Sequence, residues 1–406
     1  MLKRHKKLIP DFKDISGCGI SGVMSEAGER FSGEFIIRSI ANMHDRGNGL
    51  GGGIAAYGVY PQMRDHYAVH LMLDDIKSKK ETESIISNWC TVFGDESIPT
   101  KPHPKIQTRP ILHRYFVDIK PEVLNRFNTD DEDEAMVDMV MRINQNVTGG
   151  FVFSSGRNMG VFKGVGYPED IGEFFRLDEY EGYSWTAHNR FPTNTTGWWG
   201  GAHPFSLLDW TVVHNGEISS YGINKRYLAN FGYKCTLQTD TEVVAYLFDL
   251  LVRRHDLPLE TACLAMAPPF WSQVDRMDKK RHKLISGLRM VYGGALLNGP
   301  FAVLVGFSGG MVGFNDRTKL RPMVAARKGD MLYIASEEGA IHEICDGPET
   351  VWHATAGVPV IGRLKDPKRI LGEKGAARLE AMTKMMPVVD SQPSQGGLPA
   401  SEGGLS

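Results

Sequence analysis

The stretch TAHNRFPTNTTGWWGGAHPFSLLDWTVVHNGEISSYG, residues 186–222, and the LQTDTEV at 237–243 contain most of the residues that decide the fold. Within them, WTVVHNG (210–216) is an apolar run that ends in Asn-Gly, which predicts a strand entering a turn. DTEVVAYLFDLLVRRH (240–255) predicts a helix, and the Asp-Thr pair at its start can cap it. A strand, a polar turn and a long helix therefore follow one another here.

Runs of adjacent strands and separate helices are predicted on both sides of this stretch. CGISGVM (18–24) predicts a buried strand, and FVFSS with MGVFKG (151–164) predicts a hairpin around residues 156–158. FAVLVGF, GMVGFN and MLYIAS (301–336) predict an antiparallel strand series. Because the helices flank groups of strands and do not alternate with them, the predicted class is α+β.

Composition and charge exclude several classes of function. With 406 residues, 42% of them hydrophobic, and a net charge of −2, the chain can bury a core but gives no case for a nucleic acid or membrane-surface partner. No apolar run reaches the roughly 18 residues of a membrane helix. The five cysteines include no CxxC pair, which argues against a disulfide framework, a zinc site or an iron–sulfur cluster in this chain. We expect a cytoplasmic protein.

Four motifs together resemble the class II glutamine amidotransferases, the N-terminal-nucleophile glutaminases. These are RFPTNT followed by AHPF, then HNGEISSYG, then TDTEV before a long helix, and finally GPFAVLVGF with RPMV and YIASEEG. Within that class the chain is most similar to the amidotransferase part of glutamate synthases. The resemblance implies a four-layer αββα sandwich of two antiparallel sheets between helical layers.

Cys18 is the nucleophile that the resemblance implies. An internal cysteine with a pKa near 8.5 needs a base, and no histidine is adjacent in sequence. In the family the base is the α-amine of the cysteine itself, which would exist here only if the Gly17–Cys18 bond were cut. We therefore predict a propeptide at residues 1–17, an amidotransferase domain at 18–370 and a flexible tail at 371–406. The alternative for Cys18 is a buried structural cysteine.

The resemblance also implies the residues that act on the substrate. Asn215 and Gly216 would form the oxyanion hole, although Asn-Gly is also a strong turn former. Arg190 would bind the α-carboxylate of glutamine through its planar guanidinium group. Asp240 would bind the α-ammonium group, unless it serves only as a helix cap.

Further residues have less specific implied roles. Thr193 and Thr195 are expected to line the same pocket. Arg46, in the DRGNG segment, and His214 are expected to support the nucleophile and the pocket.

Metal and cofactor binding are not predicted for this chain. His188, His203 and His214 are spaced by fifteen and eleven residues, which fits no metal-binding helix pattern, so we interpret them as structural. Gly47, Gly49 and Gly52 match G-x-G-x-x-G, but they follow a predicted helix and precede a strand, the reverse of a dinucleotide site.

The predicted activity is hydrolysis of L-glutamine to glutamate and ammonia through a thioester on Cys18. The ammonia would pass to a synthase partner subunit in a hetero-oligomer, and the partner would hold the flavin and the iron–sulfur cluster. Three alternatives stay open: an amidase acting on another amide, a non-catalytic regulatory subunit that retains the fold, and an amidotransferase that feeds a different acceptor, such as an N-methylglutamate synthase or a phosphoribosyl acceptor.

Overall fold

The computed structural model of the chain describes residues 17–106, 109–127, 129–192 and 197–382. The strands are β1 Gly19–Ser25, β2 Phe31–Ser32, β3 Gly52–Tyr57, β4 Tyr67–Leu73, β5 Cys90–Ser97, β6 Ile111–Ile119, β7 Gly150–Ser154, β8 Met159–Gly164, β9 Glu181–Gly182, β10 Ser184–Asn189, β11 Phe205–Leu207, β12 Trp210–Gly216, β13 Phe301–Phe307, β14 Gly310–Asn315, β15 Val324–Lys328, β16 Met331–Ala335, β17 Thr350–His353 and β18 Val360–Arg363. The helices are α1 Glu34–Ala41, α2 Ile76–Trp89, α3 Pro121–Phe127, α4 Glu132–Asn146, α5 Pro168–Phe174, α6 Tyr221–Ala229, α7 Asp240–Phe248, α8 Leu259–Met266, α9 Trp271–Val274, α10 Lys279–Val291, α11 Glu338–His342 and α12 Pro367–Met382.

Two antiparallel sheets form the centre of the molecule. The first has the order β17-β15-β16-β1-β10-β3-β8, and the second has the order β11-β12-β13-β14-β18. They pack face to face through β1 and β10 of the first sheet and β12 and β13 of the second. The packing is close at Gly22, where an added Cβ would lie 2.6 Å from both Leu304 and Met311 of the facing sheet. Glycine in this strand therefore allows the two sheets to approach.

Helices cover both outer faces of this pair of sheets. On the first sheet, α1 packs on β1 and β10, α5 on β3 and β8, and α11 on β15 and β16. On the second sheet, α7 packs on β11 and β12, and α6 packs on α7. Because both faces of each central strand are covered, β1, β3 and β13 are buried along their whole lengths. The fold is thus the four-layer αββα arrangement of the α+β class, as predicted.

A separate βαββαβ unit is inserted between β3 and β8. It runs β4-α2-β5-β6-α3-α4-β7 in sequence, and its antiparallel sheet has the order β5-β6-β4-β7, that of a ferredoxin-like split unit. Its sheet packs on the core through His70, whose ring contacts Phe162 and whose Nε2 is hydrogen-bonded to the Tyr60 hydroxyl at 3.0 Å. No pattern in the sequence predicted this unit.

Two strand pairings predicted from the sequence are wrong. The runs at 151–155 and 159–164 do not form a hairpin, because β7 pairs with β4 of the inserted unit and β8 pairs with β3 of the core. The series at 301–336 is divided in the same way, since β13 and β14 pair with each other and β16 pairs with β1 and β15. Neighbouring apolar runs carry no information on which sheet each one joins.

The predicted domain boundary at residue 371 also needs correction. Helix α12 continues to Met382, with a break at Gly372, where φ is +74°. Leu371 and Leu379 are buried against the core, and the Arg378 guanidinium lies 2.5 Å from Asp133 of α4. Residues 371–382 are therefore part of the folded domain, and the rest of the predicted tail lies outside the described residues, as do residues 1–16.

No helix within the described ranges is both long enough and apolar enough to cross a lipid bilayer.

Candidate active site

Cys18 lies directly before β1, in the wall of a cavity of about 220 Å³. The cavity is formed at the ends of β1, β10 and β12 and at the start of α7, where the two central sheets meet. Its volume is below the range of sites for drug-sized ligands and admits a molecule of amino-acid size. It is lined by Cys18, Arg190, Phe191, Pro192, His203, His214, Gly216, Glu217, Ile218, Tyr221, Gln238, Thr239 and Asp240.

The thiol of Cys18 is held against the backbone that follows β10. Its Sγ accepts a hydrogen bond from the Phe191 N–H at 3.4 Å and is 3.9 Å from the Phe191 carbonyl oxygen. Burial raises the pKa of the thiol above its ordinary value, while the Phe191 N–H and the cations of Arg190 and Arg321 oppose that rise. In the unprocessed chain the sulfur is therefore held as a thiol, and a base is needed to ionise it.

Arg46 holds the main chain of the nucleophile. Its Nε donates to the Cys18 carbonyl oxygen at 3.0 Å, and its Nη1 pairs with Glu337 at 2.6 Å. The loop that carries Arg46 is fixed by Asn189, whose side chain packs so closely on Gly47 that an added Cβ would lie 1.8 Å from the Asn189 Oδ1. Arg46 thus lies beside Cys18, the residue that it is predicted to support.

Asn215 and Gly216 end β12 at the cavity. The Asn215 side chain is fully buried, and its Nδ2 lies 3.2 Å from Ser336 Oγ. The same hydroxyl accepts the N–H of Ile20 in β1 at 3.2 Å, so Ser336 links the strand of the nucleophile to Asn215 across the two sheets. Gly216 has φ of +139°, and a Cβ there would lie 2.0 Å from the Pro300 carbonyl oxygen, so only glycine fits.

Asp240 and Arg190 supply opposite charges to the cavity wall. Arg190 is buried, with 6% of its surface exposed, and burial lowers the pKa of its guanidinium group. Burial alone would raise the pKa of the Asp240 carboxyl, but His214 at 3.6 Å and the Ile218 N–H at 2.9 Å lower it to about 2. An anion and a cation are thus both present in one small cavity.

Asp240 is not the helix cap. The N-cap of α7 is Thr239, whose side chain accepts a hydrogen bond from the Thr241 N–H. Asp240 is the first helical residue, which leaves its carboxylate directed to Ile218 and His214. This geometry removes the capping interpretation that the sequence left open.

The three histidines that are far apart in sequence meet behind Asp240. His188 and His203 stack with ring centroids 4.0 Å apart, and His203 and His214 both contact the Thr241 hydroxyl, at 2.7 and 3.3 Å. Burial lowers the pKa of His188 to about 3 and lowers that of His203 further, so both rings are neutral. In the part of the chain that the structure describes, no group of three or more acidic, histidine or cysteine side chains is arranged to hold a metal ion.

Several residues that position this site were not predicted from the sequence. Ser336 lies in the YIASEEG motif and Arg321 in the RPMV motif, but no local pattern indicates their contacts. Lys163 is buried and donates to the carbonyl oxygens of Gly200 and Ala202, which fixes the loop before the cis His203–Pro204 bond. Thr193 and Thr195, predicted to line the pocket, lie outside the described residues.

A larger cavity of about 440 Å³ lies elsewhere, beside α12 and the inserted unit. Several of its carboxylates are already paired with arginines, as Glu132 and Asp133 are with Arg157. It contains none of the residues that the sequence predicts to be catalytic.

The chain matches a family model and is similar to other proteins over most of its length. The chain matches the family model "Glutamine amidotransferases class-II" over residues 21–233. It is 49% identical to an uncharacterised protein of Archaeoglobus fulgidus over 375 residues, 91% of this chain and 98% of that one. It is 26% identical to a protein provisionally named a glutamine amidotransferase from Methanothermobacter thermautotrophicus, over 82% of this chain and 95% of that one.

Among solved structures, the chain is similar to the glutamine phosphoribosylpyrophosphate amidotransferase of B. subtilis complexed with ADP and GMP. The TM-score is 0.41 and the identity 14%, and the match covers 86% of this chain and 49% of that chain. The chain thus spans about half of that structure's length.

Proposed function

The chain belongs to the class II glutamine amidotransferases, and on that premise we propose that it hydrolyses L-glutamine to glutamate and ammonia through a γ-glutamyl thioester on Cys18. The observation that carries this proposal is one small cavity lined by a thiol, a buried arginine, a carboxylate and Gly216, the glycine that ends β12 next to the buried Asn215. Each matches one need of amide hydrolysis on a free amino acid.

The first step of the proposed mechanism is cleavage of the Gly17–Cys18 peptide bond. The released α-amine has an ordinary pKa of about 7.7–8.0 and can take the proton of the thiol near neutral pH. The thiolate then attacks the side-chain amide carbon of glutamine, and the ammonium formed on Cys18 returns its proton to the departing nitrogen, which leaves as ammonia. The amine next takes a proton from water as the hydroxide attacks the thioester, glutamate leaves as the C–S bond breaks, and the ammonium returns the proton to the departing thiolate.

Asn215 would stabilise the oxyanion that forms in both attacks. Because Ser336 Oγ already accepts the Ile20 N–H, its own hydroxyl hydrogen is free to be donated to Asn215 Oδ1 when the amide is turned by 180°. That orientation directs Nδ2 away from Ser336 and makes it available to the oxyanion, with Gly216 adjacent. A single pre-aimed donor of this kind is worth about 3 kcal/mol of barrier.

Arg190 and Asp240 would recognise the amino-acid end of glutamine. The guanidinium group suits the α-carboxylate because it offers two parallel donors, and the ionised carboxylate suits the α-ammonium group. Since the pKa of Asp240 is held near 2, it carries its charge at every physiological pH. Both charges together favour a free amino acid over an amide in a peptide chain.

The ammonia would be used by a partner synthase. We expect a separate subunit of the glutamate synthase type, carrying flavin and iron–sulfur cofactors, in a hetero-oligomer with this chain. A cytoplasmic location fits a catalytic thiol and four further free cysteines, because a reducing compartment keeps them as thiols.

The proposal is tested by intact mass and glutamate release from purified protein. We expect the mass to lack residues 1–17, and we expect glutamate release to vanish in Cys18→Ala. Cys235→Ala, at a partly exposed cysteine outside the cavity, is the matched control and should keep the wild-type rate. A chain that keeps its first seventeen residues and still hydrolyses glutamine would exclude the α-amine mechanism. A chain that is processed and does not hydrolyse glutamine would exclude the glutaminase.

A further inference from the structure

Two arginines flank the peptide bond between Gly17 and Cys18. A Cβ built on Gly17 would lie 3.5 Å from Arg46 Nη2 and 3.8 Å from Arg321 Nη1. The nitrogen of Cys18 is only two covalent bonds from the Gly17 Cα. The α-amine that cleavage would create therefore forms beside two guanidinium groups.

The two arginines differ in how their charge is compensated. Arg46 is paired with Glu337 at 2.6 Å, and its Nε is used by the Cys18 carbonyl. Arg321 has no carboxylate within ion-pair distance among the described residues, and its Nε is buried without a hydrogen-bond partner there. A buried donor on an unpaired cation is costly, and such a group beside the nucleophile calls for a functional reason.

The main chain of Arg321 is fixed at the same end of the sheet as the proposed oxyanion hole. Its carbonyl oxygen accepts the Asn315 Nδ2 at 2.6 Å. Asn315 in β14 pairs with Ala302 in β13, and Ala302 pairs on its other side with Asn215 in β12. Arg321 thus has a defined place in the row of residues that ends at Asn215.

A fixed positive charge at this place acts on both reacting groups in the same direction. It disfavours the ammonium form of a nearby amine and favours the thiolate form of a nearby thiol. Among the other charged groups near the nucleophile, Arg190 adds to the effect, Asp240 opposes it, and Glu337 offsets Arg46. Glu217, His203 and His214 also line the cavity.

Building on the proposed glutaminase function, we propose that Arg321 is a positioning residue for the nucleophile: its uncompensated cation keeps the α-amine of processed Cys18 unprotonated and its sulfur ionisable at neutral pH. In this proposal Arg321 contacts neither glutamine nor the amide bond of glutamine that is hydrolysed. It acts through the charge state of Cys18.

The test compares Arg321→Gln with Arg321→Lys in the full-length chain after processing, with Arg281→Gln as the control for loss of an exposed arginine. The pH profile of kcat/KM for glutamine is measured for each. We expect the acid limb of the Arg321→Gln profile to move up by about one pH unit, which is the usual effect of one charge at close range. In Arg321→Lys and Arg281→Gln the acid limb should lie at the same pH as in the wild type.

A second measurement does not depend on glutamine turnover. The rate of Cys18 alkylation by iodoacetamide is followed against pH by peptide mass, and its midpoint should rise in Arg321→Gln by the same amount. If the wild type is processed but inactive on glutamine, this measurement still decides the role of Arg321. The inference is wrong if the acid limb and the alkylation midpoint of Arg321→Gln both stay at the wild-type pH. It is also wrong if Arg321→Lys shifts them by the same amount as Arg321→Gln.

Discussion

Arg190 has the most specific task among the residues of the cavity. It follows β10 directly, and its backbone is fixed by the Gly51 carbonyl, which accepts its N–H at 3.1 Å, and by the Asn48 N–H, which it accepts at 3.2 Å. Its guanidinium cation also counteracts the rise in the pKa of the Cys18 thiol. The same side chain would therefore serve both the proposed binding of glutamine and the ionisation of the nucleophile.

Arg190→Ala should chiefly weaken glutamine binding. Hydrogen bonds to a charged group contribute about 1.5–3 kcal/mol, so we expect KM for glutamine to rise about 10- to 100-fold. Arg190→Lys keeps the cation but loses the planar guanidinium group, so its KM should lie between those of the wild type and Arg190→Ala. Steady-state kinetics of glutamate release measure both, and an unchanged KM in Arg190→Ala would remove Arg190 from the binding site.

The end of β12 shows how an element determines the chemistry. The asparagine of Asn215-Gly216 faces inward at the end of a buried strand, and the glycine adopts a backbone in which any Cβ would clash with the Pro300 carbonyl oxygen. Both residues pair with β13, Asn215 with Ala302 and Gly216 with Phe301, so they belong to the strand and do not form the turn that Asn-Gly predicted. The backbone of the candidate oxyanion hole is therefore set by the sheet.

Gly216→Ala should damage both stability and activity. A left-handed backbone costs a non-glycine residue about 1–3 kcal/mol, and the contact with Pro300 adds to that. We expect a loss of about 2 kcal/mol or more in the free energy of unfolding, together with loss of glutamate release.

Gly232→Ala is the matched control for this prediction. Gly232 also has a positive φ, +86°, but nothing lies within 4 Å of an added Cβ. We expect about 1 kcal/mol of destabilisation and full activity. Equal losses in urea-induced unfolding of the two variants would show that the contact with Pro300 does not matter.

At the scale of the whole molecule, buried charges hold distant segments together. Arg378 of α12 lies between Asp133 of the inserted unit and Asp209 of the core, at 2.5 and 3.6 Å. Nearer the site, Glu242 of α7 accepts the N–H groups of Thr236 and Leu237, which fixes the segment that leads to Asp240. These groups connect the layers of the sandwich to the cavity.

Glu242 should make stability depend on pH. Burial raises the pKa of its carboxyl to about 7, above the ordinary 4.5, so between these values the folded chain binds more protons than the unfolded one. Its contribution to stability is therefore present below pH 4.5 and is lost as pH rises to 7. In Glu242→Gln this loss is absent.

Urea unfolding at pH 5 and pH 7 measures the effect. The free energy of unfolding of Glu242→Gln relative to wild type should increase between these two values by about 2 kcal/mol. Any effect of the amide on the free energy of unfolding that does not depend on pH is the same at both pH values and cancels in the comparison. Glu29→Gln, at an exposed carboxylate, should show no such change. The same relative stability of Glu242→Gln at both pH values would contradict the prediction.

The sequence determined the local chemistry of this protein. Arg190 after a strand and Asp240 at a helix start occupy the elements that their local patterns predict, because strand patterns and helix starts are properties of short segments. Asn-Gly ends the predicted strand, but it does not form the predicted turn. The αββα class followed in the same way from a resemblance carried by motifs of a few residues.

Only the tertiary structure decided which segments meet. It separated β7 from β8, joined His188, His203 and His214 around Thr241, and placed Arg321 beside Gly17 and Ser336 between Ile20 and Asn215. Some of these contacts join residues that are more than three hundred positions apart in the sequence. No local pattern encodes them, because they depend on sheet pairing and on the packing of layers, which are chosen by the burial of the whole chain.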